Sequence, residues 1–273
     1  MLDRVDQAAR PALAGRPMPF RGGGFEITPR RWLAPGAFAL VLAAWQLGSS
    51  LGLINPMFLP SPLAILAALR DAALSGALWI NLSASLVRFG GGWVLGTAAG
   101  LLVGLVMGIF SAARAIGLAG ISALFPIPKI ALLPLLILWL GIGETSKVTT
   151  IALGVFFPMA VATYSAIDAV PRNLIRMAQS FNLGWSAIVA RIILPGALPG
   201  ILAGMRITVS VGLTLLAAAE MIGARYGIGA FILAAGNLML PDQLLAGVVV
   251  LSLLGLGLAW LLGRAERVLL RWR

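Results

Sequence analysis

A chain of 273 residues that is 60% hydrophobic and 11% charged, with a mean hydropathy of +1.00, has lipid rather than water as its main solvent. The absence of cysteine and histidine excludes disulfide frameworks, thiolate metal sites, nearly all zinc centres and most hydrolase triads. The net charge of +11 comes from arginines in short stretches between long apolar runs, which is a topological signal rather than a nucleic-acid-binding face.

The chain opens with a polar, glycine- and proline-containing stretch, Met1 to Arg31, too poor in apolar residues to be a cleavable signal. It reads as a largely disordered cytoplasmic arm (1–31) ahead of a transmembrane domain over 32–273. Six runs then reach the roughly 20 apolar residues that a spanning helix needs. They are Leu33 to Leu51, Leu86 to Ile109, Ala115 to Leu140, Val148 to Ile167, Ile201 to Met221 and Leu244 to Leu262. None of them alternates as a barrel strand does, so the expected fold class is all-α, a polytopic membrane protein with six transmembrane helices. Arg4, Arg10, Arg16, Arg21, Arg30 and Arg31 precede the first span, and Arg264, Arg267, Arg271 and Arg273 follow the last, so both termini are expected in the cytoplasm. Arg114, Arg172, Arg176 and Arg191 then fall inside as well, leaving Arg70, Lys147 and Arg225 outside.

Between the first two spans, Leu63, Leu66, Ala67 and Leu69 beside Arg70 and Asp71 form a short amphipathic pattern within Pro62 to Trp79. It suits either the outer interface or a plain connector. In the second span, Gly92, Gly96, Gly100, Gly104 and Gly108 recur every fourth residue. They form a face for close helix packing, against a neighbour in this chain or another. The third span is interrupted by Pro126, Pro128 and Pro134, with Lys129 among them; broken helices of this kind often line transport pathways. Ionisable groups inside apolar runs are functional by default, and the others are Arg88, Arg206 and Glu220. Arg88 and Arg206 lie near the expected span ends and can snorkel. Lys129 and Glu220, with Pro126 and Pro128, are the pathway candidates, each charge open to the alternative of a structural pair.

The loop from Asp168 to Gly200 encodes two short helices. Pro171 suits a first turn, Leu174, Ile175, Ala178 and Phe181 share a face, and Asn182 tolerates the left-handed backbone that ends helices. A second stretch, Trp185, Ile188, Val189, Ile192 and Ile193, is expected to stop at Pro195 and Pro199. Its apolar face suits docking to a motor protein, since the chain has no GxxxxGK[ST] phosphate loop, or packing on its own bundle.

The run Arg176-Met-Ala-Gln-Ser-Phe-Asn-Leu-Gly184, followed by Arg191-Ile-Ile-Leu-Pro195-Gly-Ala-Leu-Pro199, resembles the EAA loop of bacterial ABC importer permeases. Pro126-Ile-Pro-Lys-Ile-Ala-Leu-Leu-Pro-Leu135, with Leu138-Trp-Leu-Gly-Ile-Gly-Glu144, is similar to the subfamily handling nitrate, aliphatic sulfonates, taurine and bicarbonate. Ala219-Glu220-Met-Ile-Gly223 and the ending from Arg264 to Arg273 point the same way, so the likeness runs from about Ala34 to the C-terminus.

The resemblance implies a type I, MetI-like permease fold and an inner-membrane permease for a small anionic solute. A permease for a vitamin precursor and an ATP-independent carrier or channel are the alternatives. It implies a cytoplasmic ATPase dimer that binds ATP and Mg, a second permease copy in a homodimer, a periplasmic substrate-binding protein and no nucleic acid. The chain itself would bear no cofactor, metal or catalytic residue; a membrane enzyme would need convergent acid, base or metal groups that this sequence lacks. Arg176, Met177, Ala178, Ser180, Phe181, Asn182, Leu183 and Gly184 would form the ATPase-coupling element, with Arg176 where the family has glutamate and Asn182 where it has glycine.

Overall fold

The structure, a computed structural model, describes residues 32–271; the expected arm over 1–31 lies outside the described residues. Eleven α-helices account for most of what is described: α1 (Leu33–Ser50), α2 (Pro62–Leu74), α3 (Ala77–Ile109), α4 (Ser111–Leu124), α5 (Leu133–Leu140), α6 (Glu144–Asp168), α7 (Arg172–Ser180), α8 (Trp185–Ile188), α9 (Leu194–Gly223), α10 (Ile228–Asn237) and α11 (Pro241–Leu269). Five helical stretches are long and apolar enough to cross a membrane, and the bent pair α4–α5 adds a sixth when counted as one span. The chain divides into two units, one ending at Leu47 within α1 and one from Gly48 onward. The first contributes α1 up to Leu47. The second carries everything that follows.

In the larger unit, α3, α6 and α9 form the core. Phe89, Ile151, Val155, Val209 and Leu216 make one buried cluster across the three helices, and Met159, Ile167, Val170, Ala197 and Ile201 make another where the end of α6 meets the start of α9. The glycine face of α3 meets α6, so the neighbour it packs against belongs to the same chain. A Cβ built at Gly100 would lie 2.6 Å from the Phe156 carbonyl oxygen, and one at Gly104 would lie 2.6 Å from that of Ala160. Gly92 and Gly108 press against Ile151 and Ile167, and Gly96 against the Ala152 backbone. Without a hydrophobic force between helices in lipid, such close backbone approach provides much of the attraction.

Several element bounds differ from the sequence reading. The second span starts at Ala77 rather than Leu86, because Asn81, Ser83 and Ser85 dilute its apolar character without breaking the helix. The segment before it is the helix α2, with Pro62 in its first turn and Ser61 Oγ accepting from the Ala64 N–H at 3.1 Å. α2 buries Ile65 and turns Leu63, Leu66 and Ala67 outward. Pro195 and Pro199 do not stop a helix: Trp185 to Gly223 is one apolar helical stretch of 39 residues. Its second coupling segment is therefore the start of the fifth span and not a separate helix. The five residues Val189–Ile193 form a π turn, in which the Leu194 N–H bonds the Val189 carbonyl five residues back. The widened turn lies directly before Pro195, which lacks an N–H and crowds the turn before it.

Of the three prolines in the third span, Pro126 and Pro128 sit in the break and Pro134 sits in the first turn of α5, where proline is tolerated. The axis changes direction by 80° between α4 and the segment Lys129–Leu140. At about 1.5 Å per residue, the 14 residues of α4 reach about 21 Å, short of the roughly 30 Å hydrocarbon core.

Candidate functional site

Glu220, near the end of α9, has a side chain with 0% exposure, and it is matched by three residues on two other elements. Arg88 of α3 donates to it at 2.7 Å, Ser85 Oγ lies 2.8 and 2.9 Å from its two oxygens, and the Gly229 N–H at the start of α10 donates at 2.9 Å. The same group holds the α9–α10 turn. Arg88 donates to the Tyr226 carbonyl, Asn81 Oδ1 accepts the Gly227 N–H at 2.8 Å, and Ser85 Oγ accepts the Ile228 N–H at 2.9 Å. Gly227 has φ +139°, and a Cβ there would collide with Glu220 and Arg88, so this position requires glycine. Arg88 also pairs with Glu144 at the start of α6 through both Nε and Nη2, the latter at 2.8 Å. One guanidinium therefore joins α3, α6, α9 and the turn into α10.

At the bend after α4, the Lys129 ammonium donates to the carbonyls of Leu124 at 2.9 Å and Phe125 at 2.6 Å, the former also accepting the Ile127 N–H at 3.3 Å. The same nitrogen stands 4.5 Å from the ring centre of Phe157 and 5.3 Å from that of Phe125. Among the described residues no carboxylate forms a salt bridge with Lys129, which is half-buried.

At the other end of the bundle from Glu220, α7 and α8 project as a two-segment element. Asn182 takes φ +56° immediately after α7, and its N–H bonds the Gln179 carbonyl at 2.9 Å. Ala178 and Ile188 are buried, while Met177 (53% exposed), Phe181 (74%) and Trp185 (60%) are left open, together with Arg176, Ser180 and Gly184. Phe181 therefore does not join the packed face with Ala178 as expected. It follows the last helical residue, where the chain turns away from the face that Ala178 buries. The ring of Trp185 lies tilted against that of Phe110, with centres 5.9 Å apart, and Arg114 pairs with Asp168 at 2.9 Å.

Arg88 does not snorkel. It lies inside α3, 4% exposed, because the helix starts earlier than the apolar run suggests. Arg206 pairs with Glu266 across α9 and α11. The structural-pair alternative describes Glu220, whereas Pro126, Pro128 and Lys129 remain together at the open bend. Three contributors escape a reading by hydropathy: Ser85, Asn81 and Glu144. A weak signal for them exists, since Asn81, Ser85 and Arg88 recur at helical spacing on one face of α3. Among the described residues there is no cluster of acidic side chains suited to a metal ion.

Comparison with known proteins adds the family context. Residues 96–271 match the family model described as "Binding-protein-dependent transport system inner membrane component". The chain is 37% identical to the taurine transport system permease protein TauC of Escherichia coli (strain K12), over 88% of this chain and 89% of that one. SsuC of Bacillus subtilis (strain 168), named for aliphatic sulfonates transport, is 32% identical over 86% and 85% of the two chains. SsuC of Escherichia coli (strain K12), named likewise, is 35% identical over 85% and 88%. Among solved structures, a chain of the inward-facing MetNI methionine ABC transporter superposes with a TM-score of 0.60 at 22% identity, covering 72% of this chain and 95% of that one. That likeness concerns the fold.

Proposed function

The chain belongs to the family of binding-protein-dependent transport system inner membrane components, and on that premise we propose that it is the pathway-forming permease subunit of an ATP-driven importer for small sulfonates such as taurine. The observation that carries this reading is the nearly full-length likeness to TauC, which spans both the bend at Pro126–Lys129 and the projecting element at 172–188. The chain performs no bond-making chemistry in this reading. ATP and Mg are handled by a separate cytoplasmic ATPase dimer, a periplasmic binding protein delivers the solute, and two permease copies enclose the path as a homodimer. The domain over 32–273 spans the inner membrane many times with both termini cytoplasmic, as the arginine bias supports.

The open apolar side chains Met177, Phe181 and Trp185, flanked by Arg172 and Arg176, support α7–α8 as the surface that meets the ATPase. Because α8 runs into α9 without a break, closure of the ATPases would move a whole span. In the proposed cycle that movement exposes the path alternately to the two sides of the membrane.

The test is reconstitution of this chain with its ATPase and binding protein in lipid vesicles, followed by uptake of labelled taurine. We expect uptake that needs ATP and disappears when the ATPase is inactivated. Uptake that persists with an inactive ATPase would establish an ATP-independent carrier instead. A complex that moves a vitamin precursor and no sulfonate would overturn the substrate.

A further inference from the structure

We propose that Lys129, with the rings of Phe125 and Phe157, is a transit site for the anionic head of the solute inside the bilayer. The identity of that head as a sulfonate rests on the function proposed above; the anion site itself rests on geometry. An ammonium carries three N–H donors, and two are taken by the Leu124 and Phe125 carbonyls. The third has no protein partner among the described residues. The rings at 4.5 and 5.3 Å attract the cation without neutralising it, and the carbonyls lend partial charge only.

Four other cations on the long helices are occupied. Arg88 is matched by Glu144 and Glu220, Arg114 by Asp168, and Arg206 by Glu266. Lys147 is 5% exposed and donates to the Gly143 carbonyl, so nothing can approach it. Lys129 alone of these combines a place at the break of an apolar helix pair, access and an uncompensated charge. A sulfonate presents oxygens that accept a charge-assisted hydrogen bond from the free N–H. Phe125, 50% exposed, and Ile127, 38% exposed, give its carbon chain an apolar wall. A head held by one hydrogen bond is also easily released, as a site on a conduction path must allow.

The chain contains no cysteine, so a single thiol can be placed at this position. The experiment uses Lys129→Cys in the complete importer, with cysteine-free partners, in vesicles. Taurine uptake is expected to fall by about tenfold or more for loss of one charge-assisted hydrogen bond, while Lys129→Arg retains most of it. A cationic aminoethyl thiosulfonate reagent should restore uptake and an anionic sulfonatoethyl reagent should not. Taurine should slow reaction of the introduced thiol with the anionic reagent during turnover. Equal uptake by Lys129→Cys overturns the site, as does a thiol that taurine leaves unprotected. Parallel loss of uptake and of ATP hydrolysis stimulated by the binding protein, with no rescue by the cationic reagent, assigns Lys129 to the bend's architecture and also overturns it. If wild-type importer carries another anion and no sulfonate, the substrate reading fails, and protection by that anion decides the site.

Discussion

A carboxylate enclosed within a membrane bundle is tolerable only with a cation and hydrogen-bond donors around it, and Glu220 has Arg88, Ser85 and the Gly229 N–H of α10. Removing Arg88 alone strands that charge. Arg88→Met should therefore destabilise the fold by about 3–5 kcal/mol, and Arg88→Met combined with Glu220→Leu by less than the single change. Thermal unfolding of the detergent-solubilised chain checks both; a double variant weaker than Arg88→Met would contradict the pairing. Asn182 offers a second test. Its φ of +56° predicts that Asn182→Gly is tolerated and that Asn182→Val costs about 1–2 kcal/mol of local backbone strain, read as weaker association with the ATPase. If Asn182→Val associates as tightly as wild type, the backbone geometry there is unimportant for coupling. The liability of Asn182 to a left-handed turn was legible from residue type. The partner of Arg88 was not, since Glu220 lies 132 positions away and only the meeting of α3 with α9 unites them.

At the scale of elements, the α3–α6 contact depends on the absence of side chains at every fourth residue of α3. Gly100→Ala places a methyl 2.6 Å from a backbone oxygen of α6 and should destabilise by about 1–3 kcal/mol, whereas Gly90→Ala meets nothing within 4 Å and should stay within about 0.5 kcal/mol. Unfolding midpoints of the two variants test the contrast, and equal midpoints would remove the packing argument. The existence of the apolar spans and this glycine face could be read from periodicity alone. Prolines were harder to read, because the effect of each depends on its place in the local turn. Pro126 and Pro128 open an 80° bend, Pro134 begins a helix, and Pro195 is absorbed by a π turn. Hydropathy carries no information about that distinction. It also placed the start of α3 nine residues late, at Leu86 instead of Ala77, and so mistook a buried arginine for a surface one.

For the whole molecule, the arginine distribution predicts a sidedness that chemistry can test. With no native cysteine, Ser180→Cys and Ser75→Cys each provide one exposed thiol, at the two proposed faces of the membrane. In intact spheroplasts, an impermeant reagent should label the Ser75 variant and leave the Ser180 variant unlabelled until the membrane is opened. The reverse pattern would invert the topology.

The unbroken stretch from Trp185 to Gly223 has a mechanical consequence. Its 39 residues make a rod about 58 Å long at about 1.5 Å per residue. Close to its midpoint, Gly200 and Gly204 lie against the methyl groups of Ala166 and Ala162 of α6, a close contact between small residues. Such a rod acts as a lever on a fulcrum. A stiff rod pivoting there would carry a push on the Trp185 arm to the Glu220 arm, where it would load the Arg88 clamp at the same moment. Fluorescent probes on the two arms should accordingly report a single rate constant during turnover, and two separable rates would mean that the rod flexes.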